Sequence, residues 1–370
     1  MIDLVALARP SARTPLKHLV PGWFAIVLGW GGLALAWQRA VSLLGAPAQA
    51  LAGAAASITL LLFLLLVGLS LLRARRYAQA LADDLRHPVR HAFVAAVPIS
   101  LLLLVTLALA WLGPAAPGLL ALWRVGALAQ FGVTLWVLSR WLHATPAAGA
   151  QAGLVPHAGV TQTQLGGSGP AVSWGAITPV LLIPLVGNVV VPLAGVHLGQ
   201  APWAAAQFGV GLLLWPVLLT LFMVRLGQAG ALPDRLLPSL FILVAPPALS
   251  GSALMEFGAP VLLVWALWGM AVFTALWVGT RLARIADQPF GIAHWALSFP
   301  LAALAALTLR LAGLPEGAWL QVPALALLAL VSLIVLGLSL ATLRGLRAGT
   351  LLVAESAAVI PVKALHAAAG

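Results

Sequence analysis

The side chains that could bind protons, metal ions or a substrate are scarce in this chain. Its 370 residues include eight Asp and Glu, eight His and no Cys. None of the motifs H-E-x-x-H, G-x-S-x-G or the phosphate-binding loop occurs, so no metalloprotease, serine hydrolase or P-loop enzyme is indicated. The missing thiols also exclude disulfides and thiolate metal sites. We therefore predict a protein that is not an enzyme and that carries no cofactor or metal ion.

The elements that position these few groups must lie in a membrane. Hydrophobic residues make up 62% of the chain and charged residues 7%, whereas about a quarter of the residues of a soluble domain are charged. The apolar runs are long, rich in Leu and Ala, and lack the alternation of a barrel strand. The fold class is predicted to be an all-α polytopic membrane protein, with residues 1–370 forming a single transmembrane domain.

Ten apolar stretches have the length of about twenty residues that a helix needs to cross a bilayer. The one long connection, residues 143–172, is rich in Gly, Ala, Thr and Gln and is predicted to be a flexible cytoplasmic loop. The ten spans lie near residues 19–37, 51–72, 93–112, 119–142, 173–195, 202–224, 237–255, 260–278, 295–314 and 319–343.

The basic residues are distributed unevenly between the two ends of these spans. With the N-terminus inside, all of the 19 Lys and Arg except Arg39, Arg124 and Arg310 fall in cytoplasmic segments. Positively charged loops stay on the cytoplasmic side, so we predict a multi-pass protein of a bacterial inner membrane with both termini cytoplasmic. The net charge of +11 thus reports topology, and no nucleic-acid partner is expected.

The acidic residues avoid the middle of the predicted spans. Glu256 falls at the outer end of the seventh span, Glu316 in an outer loop, and the others in cytoplasmic segments. Proton- and sodium-coupled transporters usually hold carboxylates within the membrane, so this distribution favours passive conduction. Arg124, in the outer half of the fourth span, either attracts anions at an outer vestibule, paired with Glu256, or snorkels to the interface.

Prolines concentrate in the odd-numbered spans. A proline inside a helix removes a backbone donor and frees a carbonyl, which lipid does not tolerate but a protein interior or a water-filled path does. The odd spans are therefore predicted to form the inner ring of five helical hairpins around a central pore. Small residues accompany the prolines and either allow close packing or keep a pathway open. The candidates for pore lining or kinks are Gly22, Gly29, Pro98, Pro184, Gly187, Pro246, Pro247 and Pro300.

Segments of four odd spans follow, in order, the pattern of one known family. They are PGWFAIVLG at 21–29, TP at 178–179 with IPLVGNVVVPLAG at 183–195, LPSLFILVAPP at 237–247, and PF at 289–290 with WALSFP at 295–300. In these stretches the chain resembles the tellurite-resistance/dicarboxylate transporter (TDT) family, which includes TehA-type bacterial channels and the slow anion channels of plants.

The resemblance implies a ten-helix body with a pore lined by the odd helices, assembled as a homotrimer with a pore in each subunit. It also implies selective anion conduction closed by a phenylalanine of the ninth helix, which Phe299 matches. Ala25 and Asn188 lie in the resembling stretches and are added to the pore-lining candidates. The family commonly has glycine where this chain has Ala25, at a narrow part of the pore, which leaves pore width and conductance open.

The sequence thus predicts a passive anion-selective channel gated by Phe299. Its expected partners are small inorganic or organic anions and membrane lipid. The alternative function is a secondary transporter or exporter of dicarboxylates, sulfite or tellurite-like oxyanions, because the family includes carriers as well as channels.

Overall fold

The computed structural model describes residues 14–142 and 174–353, and both ranges are helical without any β-strand. The predicted loop at residues 143–172 lies outside the described residues. We label the ten apolar helices in chain order as α1 (Ala25–Arg39), α2 (Ala46–Arg76), α3 (Ala96–Leu112), α4 (Leu119–Leu142), α5 (Ile183–Val190, continued by the turn Pro192–Gly195), α6 (Ala201–Ala229), α7 (Ala245–Glu256), α8 (Val261–Gly279), α9 (Ser298–Ala312) and α10 (Gln321–Ala348).

Each odd-numbered helix is preceded by a 3₁₀ segment. The prolines predicted as kinks lie just after these segments: Pro184 and Pro246 are the second residues of α5 and α7, and Pro98 and Pro300 the third residues of α3 and α9. A proline is tolerated in the first turn of an α-helix because its missing N–H is not needed there. These prolines therefore mark the start of an α-helix. The 3₁₀ segments are Pro21–Phe24, Arg90–Ala95, Pro179–Leu182, Asp234–Val244 and Ile292–Leu297.

Within the described ranges, eight helical stretches are long and apolar enough to cross a membrane by length and composition. These stretches contain α2, α3, α4 and α6 to α10. The stretch with α5, Pro179–Gly195, is apolar but shorter, and α1 is not among the eight. The chain is thus a multi-pass helical membrane protein, as predicted, and the count of ten spans stays a prediction.

The five odd helices form a closed inner ring. Helix α1 contacts α3, α3 contacts α5, α5 contacts α7, α7 contacts α9, and α9 returns to α1; each even helix packs against the odd helix before it. The stretch of α7 is 94% buried and that of α9 72%, whereas those of α2 and α8 are 17% buried. The even helices expose Leu, Val and Phe, as lipid-facing helices do. The predicted arrangement of hairpins with the odd helices inside is confirmed.

Glycines bring the inner helices together. A Cβ at Gly32 of α1 would lie 2.9 Å from Ala302 Cβ and 3.0 Å from Phe299 Cδ2 on α9, and one at Gly29 would overlap the Ser298 hydroxyl. A Cβ at Gly187 would overlap the Gln130 amide of α4. Of the two roles considered for small residues, Gly29 and Gly187 serve close packing.

Candidate functional site

A cavity of about 600 Å³ lies on the axis of the inner ring, among the 3₁₀ segments and the first turns of the odd helices. Each of the five inner elements contributes to its wall at intervals of three residues. These wall positions are Gly22, Ala25 and Leu28; Phe93, Ala96 and Ile99; Val180, Ile183 and Val186; Ser239, Ile242 and Ala245; and Ala293, Ala296 and Phe299.

The interval of three follows from the 3₁₀ geometry. A 3₁₀ helix has three residues per turn, so positions i, i+3 and i+6 share one face. Most of these residues are apolar and small or aliphatic, which makes a smooth and weakly polar wall. In the sequence this spacing is a short period of three at the start of each odd span, which is hard to distinguish from the α-helical period.

The deep end of the cavity is apolar. The last wall residues of α1, α3 and α5 are Leu28, Ile99 and Val186, and α9 contributes Phe299. The Phe299 side chain is 7% exposed, and its ring lies against the bare backbone of Gly32 on α1. The last wall residues of these helices are therefore apolar, and Phe299, the predicted gate, is one of them.

The wide end of the cavity is polar and mainly basic. Arg90, Arg235 and His294 line it, and Arg90 Nη1 lies 2.9 Å from Asp84 Oδ1. Asp234, the one acidic wall residue within the described ranges, forms a salt bridge of 2.8 Å with Arg284. Because the carboxylates of Asp84 and Asp234 are paired with arginines, the basic side chains give this mouth a positive potential. Such a potential raises the local concentration of anions.

The structure brings some of the predicted pore residues to the cavity and leaves others away from it. Gly22, Ala25, Phe299 and Pro300 line the wall, and Ala25 lies three residues before Leu28, the last wall residue of α1. Six of the predicted residues do not line it: Gly29, Pro98, Pro184, Gly187, Pro246 and Pro247.

Asn188, also predicted to line the pore, lies in a buried polar network between α4, α5 and α6. Its Nδ2 donates to Thr134 Oγ1 at 2.8 Å and to the Pro184 carbonyl at 3.0 Å, and its Oδ1 accepts from Gln207 Nε2 at 3.0 Å. Gln130 Nε2 also donates to the Pro184 carbonyl, at 2.6 Å. Such a network holds a proline-containing helix to its neighbours. Asn188 is therefore not a wall residue of the cavity.

Arg124 and Glu256 do not form the pair that we considered. Arg124 is exposed on α4, next to the buried Trp123. Glu256, at the end of α7, is bonded by Arg39, Arg310 and His197. Arg124 occupies the outer surface of the bundle, where a charged side chain can snorkel.

The chain is similar in sequence to known anion channels. The family model "SLAC1: Voltage-dependent anion channel" matches residues 18–343. The S-type anion channel SLAH3 of Arabidopsis thaliana is 26% identical over 167 residues, 44% of this chain and 26% of the relative. The S-type anion channel SLAH2 of the same plant is 29% identical over 129 residues, 35% of this chain and 25% of the relative. The alignments thus span about a quarter of each relative's length.

Proposed function

The chain belongs to the SLAC1 family of voltage-dependent anion channels, and we propose that it is a passive anion-selective channel of a bacterial inner membrane. The observation that carries the proposal is the axial cavity, whose wall comes from all five inner elements. We further propose that both termini are cytoplasmic, that the ten labelled helices all cross the membrane, and that the protein works as a homotrimer in contact with lipid.

Passive conduction is supported by the chemistry of the cavity wall. A carrier driven by protons or sodium needs a group in the pathway that binds and releases the driving ion, most often a carboxylate. Among the residues that the structure describes, Asp234 is the one carboxylate on this wall, and it lies at the mouth in a salt bridge with Arg284. The wall at the level of the constriction is apolar and offers no such group, so anions pass with weak binding, as conduction requires.

Anion preference is supported by the direction of the inner helices. The N-terminal parts of all five odd helices line the same cavity, so their partial positive charges point toward one space. The side chains of Arg90 and Arg235 at the mouth are also positively charged. This field favours anions over cations without a charged side chain at the constriction, where a buried charge would hold an anion too tightly.

The proposed gate is Phe299. Its ring lines the cavity together with Leu28, Ile99 and Val186, and an apolar constriction at these side chains stops an anion because the ion would lose its hydration there. Gly32 of α1 packs closely against one side of the ring, where a Cβ would lie 3.0 Å from Phe299 Cδ2. Pro300 follows directly and lacks the N–H of the next helical hydrogen bond. The ring is thus the wall group whose displacement would widen the path.

The experiment that tests the function is a bilayer recording with the purified protein under a KCl gradient, paired with proteoliposomes that enclose a pH dye. An anion channel gives a current that reverses near the chloride equilibrium potential and leaves internal pH unchanged. A reversal potential that follows potassium, or a pH change that accompanies anion uptake without current, contradicts the proposal and favours a cation pathway or a coupled carrier.

A further inference from the structure

Four ionisable side chains meet at the end of the inner ring opposite the cavity. Glu256 Oε1 lies 3.1 Å from Arg39 Nη2 and 2.5 Å from Arg310 Nη1, and Glu256 Oε2 lies 2.7 Å from His197 Nε2. The Glu256 side chain is 5% exposed and that of Arg310 15%. We call these four residues the far cluster.

The far cluster lies on the axis of the cavity. Three of its members follow a wall residue by eleven positions: Arg39 follows Leu28, Glu256 follows Ala245, and Arg310 follows Phe299. Eleven residues of α-helix make three turns plus about 20°, so the two positions share a face and are separated by about 16 Å along the axis.

His197 extends the same relationship to a fourth inner helix. It follows the wall residue Val186 by eleven positions, and the break at Val191 between them keeps α-helical dihedrals. The four residues therefore surround the point where a path through the constriction would leave the inner ring.

The charges of the far cluster do not cancel. Arg39 and Arg310 each carry a permanent positive charge and share the single carboxylate of Glu256. Arg310 Nη1 also donates to the Ser252 carbonyl at 3.1 Å. These bonds engage few of the five N–H donors that each guanidinium carries. A partly buried guanidinium pair with one counter-charge is short of one negative charge, which an anion can supply.

We propose that Arg39 and Arg310, held side by side by Glu256, form a binding site for a small monovalent anion at the far mouth. The inference rests on the proposed function, since the anion would be the permeating one. The guanidinium pair supplies charge-assisted donors. Glu256 competes for the same donors and keeps the affinity low enough for release. The site thus gives the path a second anion-favouring mouth, separated from the Arg90 mouth by the apolar constriction.

The test measures anion binding to the detergent-purified full chain, without conduction. Nitrate is titrated at constant ionic strength against gluconate, and thermal unfolding is followed by tryptophan fluorescence, because a ligand that binds the folded state raises the Tm with a saturable dose dependence. The variants are Arg39→Gln, Arg310→Gln and Glu256→Gln. Arg124→Gln is the matched control, since Arg124 is a basic residue of the same predicted side, exposed on an outer helix.

The wild type and Arg124→Gln should give the same saturable rise in Tm. Arg39→Gln and Arg310→Gln should lose it, whereas Glu256→Gln should reach half-saturation at about a tenfold lower nitrate concentration, because a competing negative charge within hydrogen-bond distance is removed. The opposite effects of the Arg and Glu substitutions on nitrate binding distinguish a binding site from a purely structural ion pair, in which all three substitutions would act alike. Should the Gln variants not fold, Arg39→Lys and Arg310→Lys keep the charge and are expected to weaken nitrate binding without abolishing it.

Three results would overturn the site: a wild type without a saturable shift, Arg variants that titrate like the wild type, or a Glu256→Gln variant that loses the shift together with them. A failure of the proposed channel function can be distinguished from a failure of the proposed binding site. A wild type that binds nitrate as predicted but passes no anion current in a bilayer contradicts the channel and leaves the site, whereas a conducting wild type with unchanged titrations in all variants contradicts the site alone.

Discussion

Asp84→Asn should destabilise the protein far more than the same change at the neighbouring Asp83. Asp84 Oδ2 accepts a hydrogen bond from Arg73 Nη2 at 2.6 Å and Oδ1 one from Arg90 Nη1 at 2.9 Å. The side chains of Asp84 and Arg73 are 3% and 4% exposed. Asp83 is exposed and accepts from Gln79 Nε2 at 3.2 Å.

The expected difference follows from the burial of Arg73. Without the Asp84 carboxylate, the Arg73 guanidinium keeps hydrogen bonds to the carbonyls of Lys17, at 3.0 Å, and Ala80, at 3.3 Å, but no negative charge balances it. Removing one partner of a buried ion pair lowers the free energy of unfolding by about 3–5 kcal/mol. A surface substitution such as Asp83→Asn changes it by about 0.5 kcal/mol or less.

Equilibrium unfolding in mixed micelles, followed by tryptophan fluorescence, measures both variants. The double variant Arg73→Met/Asp84→Leu is the internal control. Replacing both members of a buried pair by apolar side chains removes the unbalanced charge and should recover much of the loss. The reasoning is refuted if Asp84→Asn and Asp83→Asn lower stability equally, or if the double variant is less stable than Asp84→Asn.

Three further predictions concern packing and the cavity wall. Gly211→Ala on α6 should lower the free energy of unfolding by about 1–3 kcal/mol, because its Cβ would lie 2.6 Å from Val189 Cγ2. Gly209→Ala on the same helix places its Cβ in open space and should be neutral or slightly stabilising. Equal Tm values for the two variants would contradict this prediction. Asn188→Ala should lower stability by about 1–3 kcal/mol through the lost network yet keep the anion-to-cation permeability ratio of the wild type; a changed ratio in bilayer recordings would return Asn188 to the pathway. Ala25→Gly should leave the open conductance unchanged, because Ala25 lines the cavity three residues before Leu28 and we place the narrow part of the pore at Leu28 and Phe299. A higher single-channel conductance would place the narrow part at Ala25.

The inner ring was predictable from the sequence because its physical cause is local. The sequence places prolines such as Pro184 and Pro246 within apolar spans, which predicts protein or water around those spans, and lipid-facing helices must be apolar on their exposed sides. The structure changed their role from kinks to helix starts, since the 3₁₀ segments before them were not anticipated. The period of three at Gly22, Ala25 and Leu28 was present in the sequence, but it is short and coincides with an α-helical face over two turns.

The placement of charges was less predictable because it depends on which face each residue occupies. Arg124 is adjacent to Trp123, whose side chain is fully buried, and one residue is about 100° around a helix, which turns Arg124 outward. The partners of Glu256 come from α1, α9 and the turn after α5, far apart in sequence. Their common spacing of eleven residues from the cavity wall becomes meaningful only when that wall is known.

The most direct test of the proposed channel compares Phe299→Ala with Phe241→Ala at matched protein density in a planar bilayer. Both side chains are buried on inner elements, at 7% and 2% exposure, and each truncation should cost stability, of order 3–5 kcal/mol in soluble cores; Phe299 lines the cavity and Phe241 does not. The account predicts that folded Phe299→Ala carries a larger anion current than the wild type, while Phe241→Ala does not. Equal or smaller current from folded Phe299→Ala would show that the ring is a packing residue and that the path closes elsewhere.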